Sequence, residues 1–169
     1  SNTITIGASG DTVIVPSGAT LNVAGTLQSG GSALVTGKVL QVVAGTDNTQ
    51  RSASSSNFSH GNSTAIATLT PSATSSKVLV MASTTTGRAS GSGNYSIFRD
   101  NSTNLATNYM FRSDADDNGG QIFAASFLDS PNTTSEINYR IKWAQPTSST
   151  GYIGYDSSLT SVIAIEIGA

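Results

Sequence analysis

The chain alternates apolar and small polar residues over most of its length and breaks that alternation at clusters of Gly, Pro, Asn, Asp and Ser. Period-2 alternation between such punctuation predicts strands. No stretch holds apolar residues at helical spacing over ten or more positions, and the strong helix formers Leu, Glu, Lys and Gln are sparse. Eight principal strands are predicted, near 37–44, 64–70, 77–83, 93–100, 104–112, 120–129, 135–145 and 160–167, with a short extra piece at 151–156. That succession, joined through turns, predicts an all-β fold, an antiparallel β-sandwich or jelly roll.

The segment 135–145 sets Ile137, Tyr139, Ile141 and Trp143 on one face and Glu136, Asn138, Arg140 and Lys142 on the other, a strand with one wet side. Three other strands do not follow this rule. Val78 and Val80 oppose Leu79 and Met81; Phe123 and Phe127 oppose Ile122, Ala124 and Leu128; Val39 and Val43 oppose Leu40 and Val42. A two-sheet sandwich buries one face of each sheet, so the second apolar face needs a cover. A subunit interface is the favoured cover, with Val39, Val43, Leu79, Met81, Phe123 and Phe127 as its candidate residues; loops are the alternative.

The first 36 residues carry the apolar pairs Ile4/Ile6, Val13/Val15 and Leu21/Val23, then Leu27, at irregular spacing. Imperfect strand repeats so few in number cannot close a dry core alone. Wound together in three copies they can. Residues 1–36 are therefore expected to be a short β-rich intertwined shaft segment, and 37–169 a globular head. With Ser1-Asn2 read as a cloning remnant, the chain is expected to be the end of a longer polypeptide.

Composition narrows the partners. Charged residues make up 11% of the chain, against about 25% in ordinary soluble proteins. The net charge of −2 and a pI near 5.1 provide no basic field, so no nucleic-acid or anionic-lipid partner is expected. With no cysteine, disulfides and thiolate metal sites are excluded. The longest apolar runs, KVLVMA and SVIAIEI, are far short of the roughly 20 residues a membrane-spanning helix needs, so no membrane insertion is expected.

Against this background the stretches GKVLQVV, FLDSPNTTSEINYRIKWA and SVIAIEIGA resemble the C-terminal head domains of bacteriophage tail fibres and related virion appendages. Those heads are similar in fold to tumour-necrosis-factor-like jelly rolls. The resemblance covers residues 37–169 and implies a homotrimer in the virion, extracellular, attached to a host cell-surface receptor. It implies no fixed set of binding residues.

Strand parity separates the connections. If neighbouring strands are antiparallel, 45–63, 84–92, 113–119 and 146–159 fall at one end, the tip, and the short 71–76, 101–103 and 130–134 at the other. Long loops on a rigid scaffold carry recognition. The candidate receptor contacts in or beside the tip loops are Arg88, Asn94, Asp114, Asp116, Asp117, Asn118, Tyr152 and Tyr155. Arg88 suits a carboxylate or sugar hydroxyls, and the tyrosines, set among Ser and Gly, suit sugar stacking; their packing on the sandwich is the alternative. Asp114, Asp116 and Asn118 match the first half of a calcium loop, but Ala125 stands where its closing Glu belongs. A plain acidic loop is favoured, with no cofactor, and Ca²⁺ stays a second reading. His60, the only histidine, is expected to hydrogen-bond within its loop; a three-copy metal site on the trimer axis is its other reading.

No catalytic residues emerge. Glu136 and Glu166, the only glutamates, are expected on the polar side of their strands without an evident partner, and no G-x-S-x-G elbow is present. The expected function is a non-enzymatic tail-fibre head that binds a receptor, a polysaccharide in the favoured case. A structural trimerisation cap or capsid decoration domain is the alternative, and a tailspike polysaccharide depolymerase the third.

Overall fold

The computed structural model describes residues 14, 16–20, 22, 24, 28–29, 32–33, 38–58, 61–88, 92–113, 120–146 and 150–168. The chain divides into two compact units, Ser1–Thr36 and Gly37–Ala169. In the first, β1 (Gln28–Ser29) pairs antiparallel with β2 (Ser32–Ala33), and Ala19 N–H closes a turn on the Pro16 carbonyl at 3.0 Å. The apolar pairs Ile4/Ile6, Val13/Val15 and Leu21/Val23 and Leu27, on which the shaft reading rests, lie outside the described residues.

The second unit is all-β. Its strands are β3 (Lys38–Asp47), β4 (Arg51–Ala53), β5 (Gly61–Leu69), β6 (Lys77–Arg88), β7 (Gly93–Arg99), β8 (Thr103–Asn104), β9 (Phe111–Ser113), β10 (Gln121–Asp129), β11 (Ile137–Ala144), β12 (Gly151–Ile153) and β13 (Thr160–Gly168). One sheet runs β3–β13–β6–β10, with β12 and β4 added beside the end of β6; the other runs β5–β11–β7, with β8 and β9 on the outer edge of β7. All pairings are antiparallel, and the first and last long strands are neighbours. This interleaving of strands between two sheets makes a jelly-roll sandwich.

The strands form where the alternation predicts them, with three differences. The single strand expected at 104–112 is two short pieces, bridged by Leu105 N–H to the Ile97 carbonyl at 3.1 Å and Met110 N–H to the Tyr95 carbonyl at 2.9 Å. The strand expected to end at 83 continues to Arg88, because Thr84–Arg88 pair with β10 on one side and β12 on the other. Within the expected long loop 45–63, Arg51–Ala53 form β4 on the edge of β12.

The core lies between the sheets. Ile137, Tyr139, Ile141 and Trp143, all at or below 2% exposure, supply one wall from β11, while Val78, Val80, Phe123, Val162 and Ala164 supply the other. Tyr95, Phe111 and Phe123 meet with ring centres 5.9–6.3 Å apart. The polar handles of this core are used: Trp143 Nε1 donates to the Gly151 carbonyl at 3.2 Å and Tyr95 OH to the Tyr152 carbonyl at 3.3 Å.

The Lys38 end of the sandwich carries two buried carboxylates. Asp129 accepts from Arg99 Nη1 at 2.7 Å and Tyr139 OH at 2.8 Å. Burial, then the bond to Asp129, pushes the Tyr139 phenol well above its usual range. Glu166 was expected on a polar face without a partner. Instead it points inward and is fully buried, bonded to Gln41 Nε2 at 2.6 Å, Ser72 N at 2.7 Å and Ser72 Oγ at 3.3 Å. The turn after β7 sets Asp100 and Asn101 at φ 49° and 64° with Ser102 N–H on the Arg99 carbonyl at 3.3 Å, the left-handed pair that a tight hairpin requires.

Truncating Trp143→Ala removes the largest side chain of the core and is expected to cost about 3–5 kcal/mol in urea unfolding. Burial acts to raise the Glu166 pKa, but the Gln41 amide and the Ser72 N–H outweigh it and hold the carboxyl below its usual 4.5. A depressed folded-state pKa stabilises at pH values above the unfolded one and loses that contribution as pH falls through the folded one. Glu166→Gln is therefore expected to unfold about 2 kcal/mol more easily at pH 7, with the gap to wild type closing as the pH is lowered below 4.5 in a series of denaturant titrations.

Candidate functional site

The sheet built from β3, β13, β6 and β10 is apolar on its outer side as well as its inner one. Val39, Val42, Met81, Ile122 and Leu128 are 46–74% exposed there, and Leu79, Ile163, Ile165 and Ile167 are half-buried. Register joins them into one surface: Ile163 stands opposite Met81, Ile165 opposite Leu79 and Val42, Ile167 opposite Val39, and Leu128 opposite Leu79. Among the described residues at these outward positions the only charge is Lys77, at the Lys38 end. Small side chains leave a shallow depression of about 370 Å³ at the centre, lined by Met81, Ser83, Ala124, Ser126, Ser161 and Ile163.

Of the residues expected at an interface, Val39, Leu79 and Met81 stand on this outer surface. The other three do not. Phe123 is fully buried in the core, and Phe127 and Val43 face the same way. In β10 both parities are apolar, so alternation alone leaves the inward one undecided; Asp129 on the Phe123 parity even suggests the wrong side, until its bonds to Arg99 and Tyr139 account for it. In β3 the pairing with β13 slips between Glu166 and Ile167, whose partners are Gln41 and Val39. Leu40 is the extra residue of this bulge, so Val39 and Val42, three apart, share the outer side and Val43 turns in. Val42, Ile122, Leu128 and the three isoleucines of β13 are the outer residues the sequence reading did not select.

The strand ends Arg88, Gly93, Ser113, Gln121, Ala144 and Gly151 lie toward the Asp47 end of the sandwich. Asp114, Asp116, Asp117 and Asn118, with the weak Ca²⁺ candidate they contain, lie outside the described residues, as does His60. Arg88 belongs to β6 opposite Gly151 and not to a glycine-rich loop. Asn94 sits on the outer side of β7 between Ala144 and Arg112, with its Oδ1 buried and unbonded. Near the same end, Asp47 accepts from Thr64 Oγ1, Thr49 N and Arg51 Nε; the Thr64 bond above all pushes its pKa down to about 2, against the opposing effect of burial.

Tyr152 and Tyr155 are brought together, ring centres 5.9 Å apart and tilted by 56°. Tyr152 stands opposite Gly87, on the outer parity of β6, and Tyr155 lies on the bare backbone at Gly87, where a Cβ would come 2.2 Å from its ring. Gly120 leaves room on the other side of the ring. The turn that carries Tyr155 is pinned below by Gly154 N–H on Thr84 Oγ1 at 3.0 Å and above by Asp156 N–H on Gln50 Oε1 at 2.9 Å. Gly154, Asp156 and Ser157 all take left-handed φ, a strained geometry for the last two. The pair thus continues the outer surface of the β3–β13–β6–β10 sheet toward the Asp47 end.

No protein-family model matches the sequence, and no curated protein matches it. Among solved structures, a chain from the structure of the infectious bursal disease virus Gt strain is similar over 90% of this chain, at 10% identity and a TM-score of 0.36; this chain spans 46% of that one.

Gly87→Ala is expected to lift the Tyr155 ring off the sheet while leaving the core intact, at a cost of about 1–3 kcal/mol. Near-ultraviolet circular dichroism should lose tyrosine signal with the far-ultraviolet β spectrum unchanged.

Proposed function

We propose that this chain is the head of a phage tail fibre, a virion structural protein that assembles as a homotrimer and attaches to a host-surface receptor, a glycan in the favoured case. The observation that carries the reading is the outer surface of the β3–β13–β6–β10 sheet. It is apolar, continuous across four strands and nearly uncharged, a combination unlike the solvated face of a monomer. An uncharged surface can meet copies of itself without like-charge repulsion, and small central residues flanked by Met and Ile offer a hollow beside ridges. Around a common axis the same surface is covered in every copy. Receptor contact then belongs to the connections at the Asp47 end. The tyrosine pair, lying on the covered side, stands closer to the partner subunits than to a receptor.

No catalytic step forms part of this reading. Among the described carboxylates, Asp47, Asp129 and Glu166 are each held by two or more donors, which suits an acid used as an anchor. A purely structural cap shares the trimer and differs only in lacking a receptor.

In light scattering the protein is expected at about three times 17.2 kDa. Met81→Arg, which places a cation on the half-exposed centre of the surface, should give a folded species at one third of that mass. Labelled wild-type protein should decorate host cells. A trimer that adsorbs to no host cell would leave only the structural cap, and a wild-type monomer would remove the fibre-head reading itself.

A further inference from the structure

The opposite sheet presents a different surface. Asn138, Arg140 and Lys142 were expected to line a wet side of β11, yet Lys142 is only 4% exposed. Its Nζ donates to the Asn101 carbonyl at 2.9 Å and stands 4.9 Å from the centre of the Phe98 ring, against which the Phe58 ring packs at 5.1 Å. Arg140, two residues earlier on the same side, donates from Nη2 to Asn138 Oδ1 at 2.8 Å, and its Nε is buried with no acceptor.

Among the described residues neither cation meets a carboxylate. Asp100 is bonded to Asn138, through its N at 3.0 Å and its Nδ2 at 3.4 Å, so the Asn138 amide stands between that acid and the guanidinium. The ion pairs among the described residues are Arg51–Asp47 and Arg99–Asp129, and both lie elsewhere. A buried lysine is ordinarily paired with an acid. Here burial first, then the Arg140 charge, holds the Lys142 pKa below its usual value, the mark of a cation that lacks compensation. Arg112, opposite Asn94 and bonded through Nη2 to Ser92 Oγ at 3.1 Å, lies on the same side. Three cations thus share this side with Asp100, which is held by Asn138, and with the exposed Glu136 four residues before Arg140.

We propose that Arg140, backed by Lys142, forms an oxyanion site on the outer side of the β5–β11–β7 sheet, and that its ligand is the carboxylate of an acidic polysaccharide. A guanidinium fixed on a central strand has lost most of its conformational freedom before the ligand arrives, and its planar fork matches a carboxylate. Lys142 lies too deep to touch the ligand and contributes its field from beneath. A polysaccharide repeats its carboxylates, so one chain offers the Arg140 site many equivalent ligands. The site goes beyond the fibre-head reading and does not need it; only the assignment of the polysaccharide to a host surface rests on that reading.

Two probes test it, sodium sulfate at fixed ionic strength and alginate, a carboxylated polysaccharide, with neutral dextran as control. Sulfate should raise the melting midpoint of wild type and of Lys77→Gln, a variant on the other sheet, and do so saturably. Arg140→Gln should lose that rise and bind alginate at least ten-fold more weakly. Arg140→Lys, which keeps the charge without the fork, should fall between, and it carries the comparison if Arg140→Gln does not fold. An equal rise in wild type and both Arg140 variants would be the general salting effect of sulfate and would overturn the site. Sulfate-specific binding without alginate binding would overturn the polysaccharide ligand. Alginate binding by a protein that adsorbs to no host cell would uphold the site while removing the receptor reading.

Discussion

A sheet that is greasy on both sides cannot sit in water, and that constraint governs the β3–β13–β6–β10 layer. Its inner side is filled by Val78, Val80, Phe123, Val162 and Ala164 against the wall of β11. Its outer side shows Met81, Ile122, Leu128, Val39 and Val42. Burying one apolar side creates the sandwich; the other stays exposed on it, and that is the side the proposed trimer would cover. β13 states this most plainly, since its inward positions are Val162, Ala164 and Glu166 and its outward ones three isoleucines. The bulkier apolar set points away from the molecule's own core.

A single-residue slip would exchange the two sides of such a strand, and because both are apolar, hydrophobicity alone penalises the exchange weakly. Register must come from polar groups that fit one way only. Glu166 against Gln41 and Ser72, and Asp129 against Arg99 and Tyr139, do this at the Lys38 end. Thr84 Oγ1 and Thr160 Oγ1, 2.7 Å apart, with Gly154 N–H on Thr84, do it toward the other. Each would be a buried unsatisfied group in the slipped register, at about 1–3 kcal/mol or more apiece. Fixed register places Tyr152 beside Gly87 and gives the outer surface one shape.

The positions of the long strands were legible in the sequence because turn residues and period-2 alternation are local, whereas the edge strand Arg51–Ala53 and the division of 104–112 into two pieces were not. The facing of β11 was legible too, since Ile137, Tyr139, Ile141 and Trp143 contrast with their charged neighbours. Where both parities are apolar, contrast vanishes, and Phe123, Phe127 and Val43 were set on the wrong side for that reason. The bulge at Leu40 is invisible locally, being defined by what β13 does opposite it. Tyr152 and Tyr155 were singled out together as receptor contacts, and their rings do meet, but their side of the sheet depends on β12 joining β6, a contact between residues more than sixty positions apart in sequence. Lys142 shows the converse failure: alternation assigned it to water, and Phe98, Asn101 and Arg140 surround it through pairings that alternation does not encode.

The two sheets thus divide the chemistry of a nearly uncharged chain. One outer side is apolar and bears Lys77 at its edge; the other collects Arg112, Arg140 and Lys142 with Asp100 turned to Asn138. With so few charges the long-range field is weak, and recognition must rest on short-range contact: shape and burial on the first side, directed hydrogen bonds on the second. A side built for self-association gains from the absence of charge, because every charge there meets its own copy. A side built for an anionic ligand gains from concentrating what charge there is. The segregation of cations from apolar residues across one sandwich therefore joins both proposals in a single physical account, in which each sheet's outer residues suit a different partner.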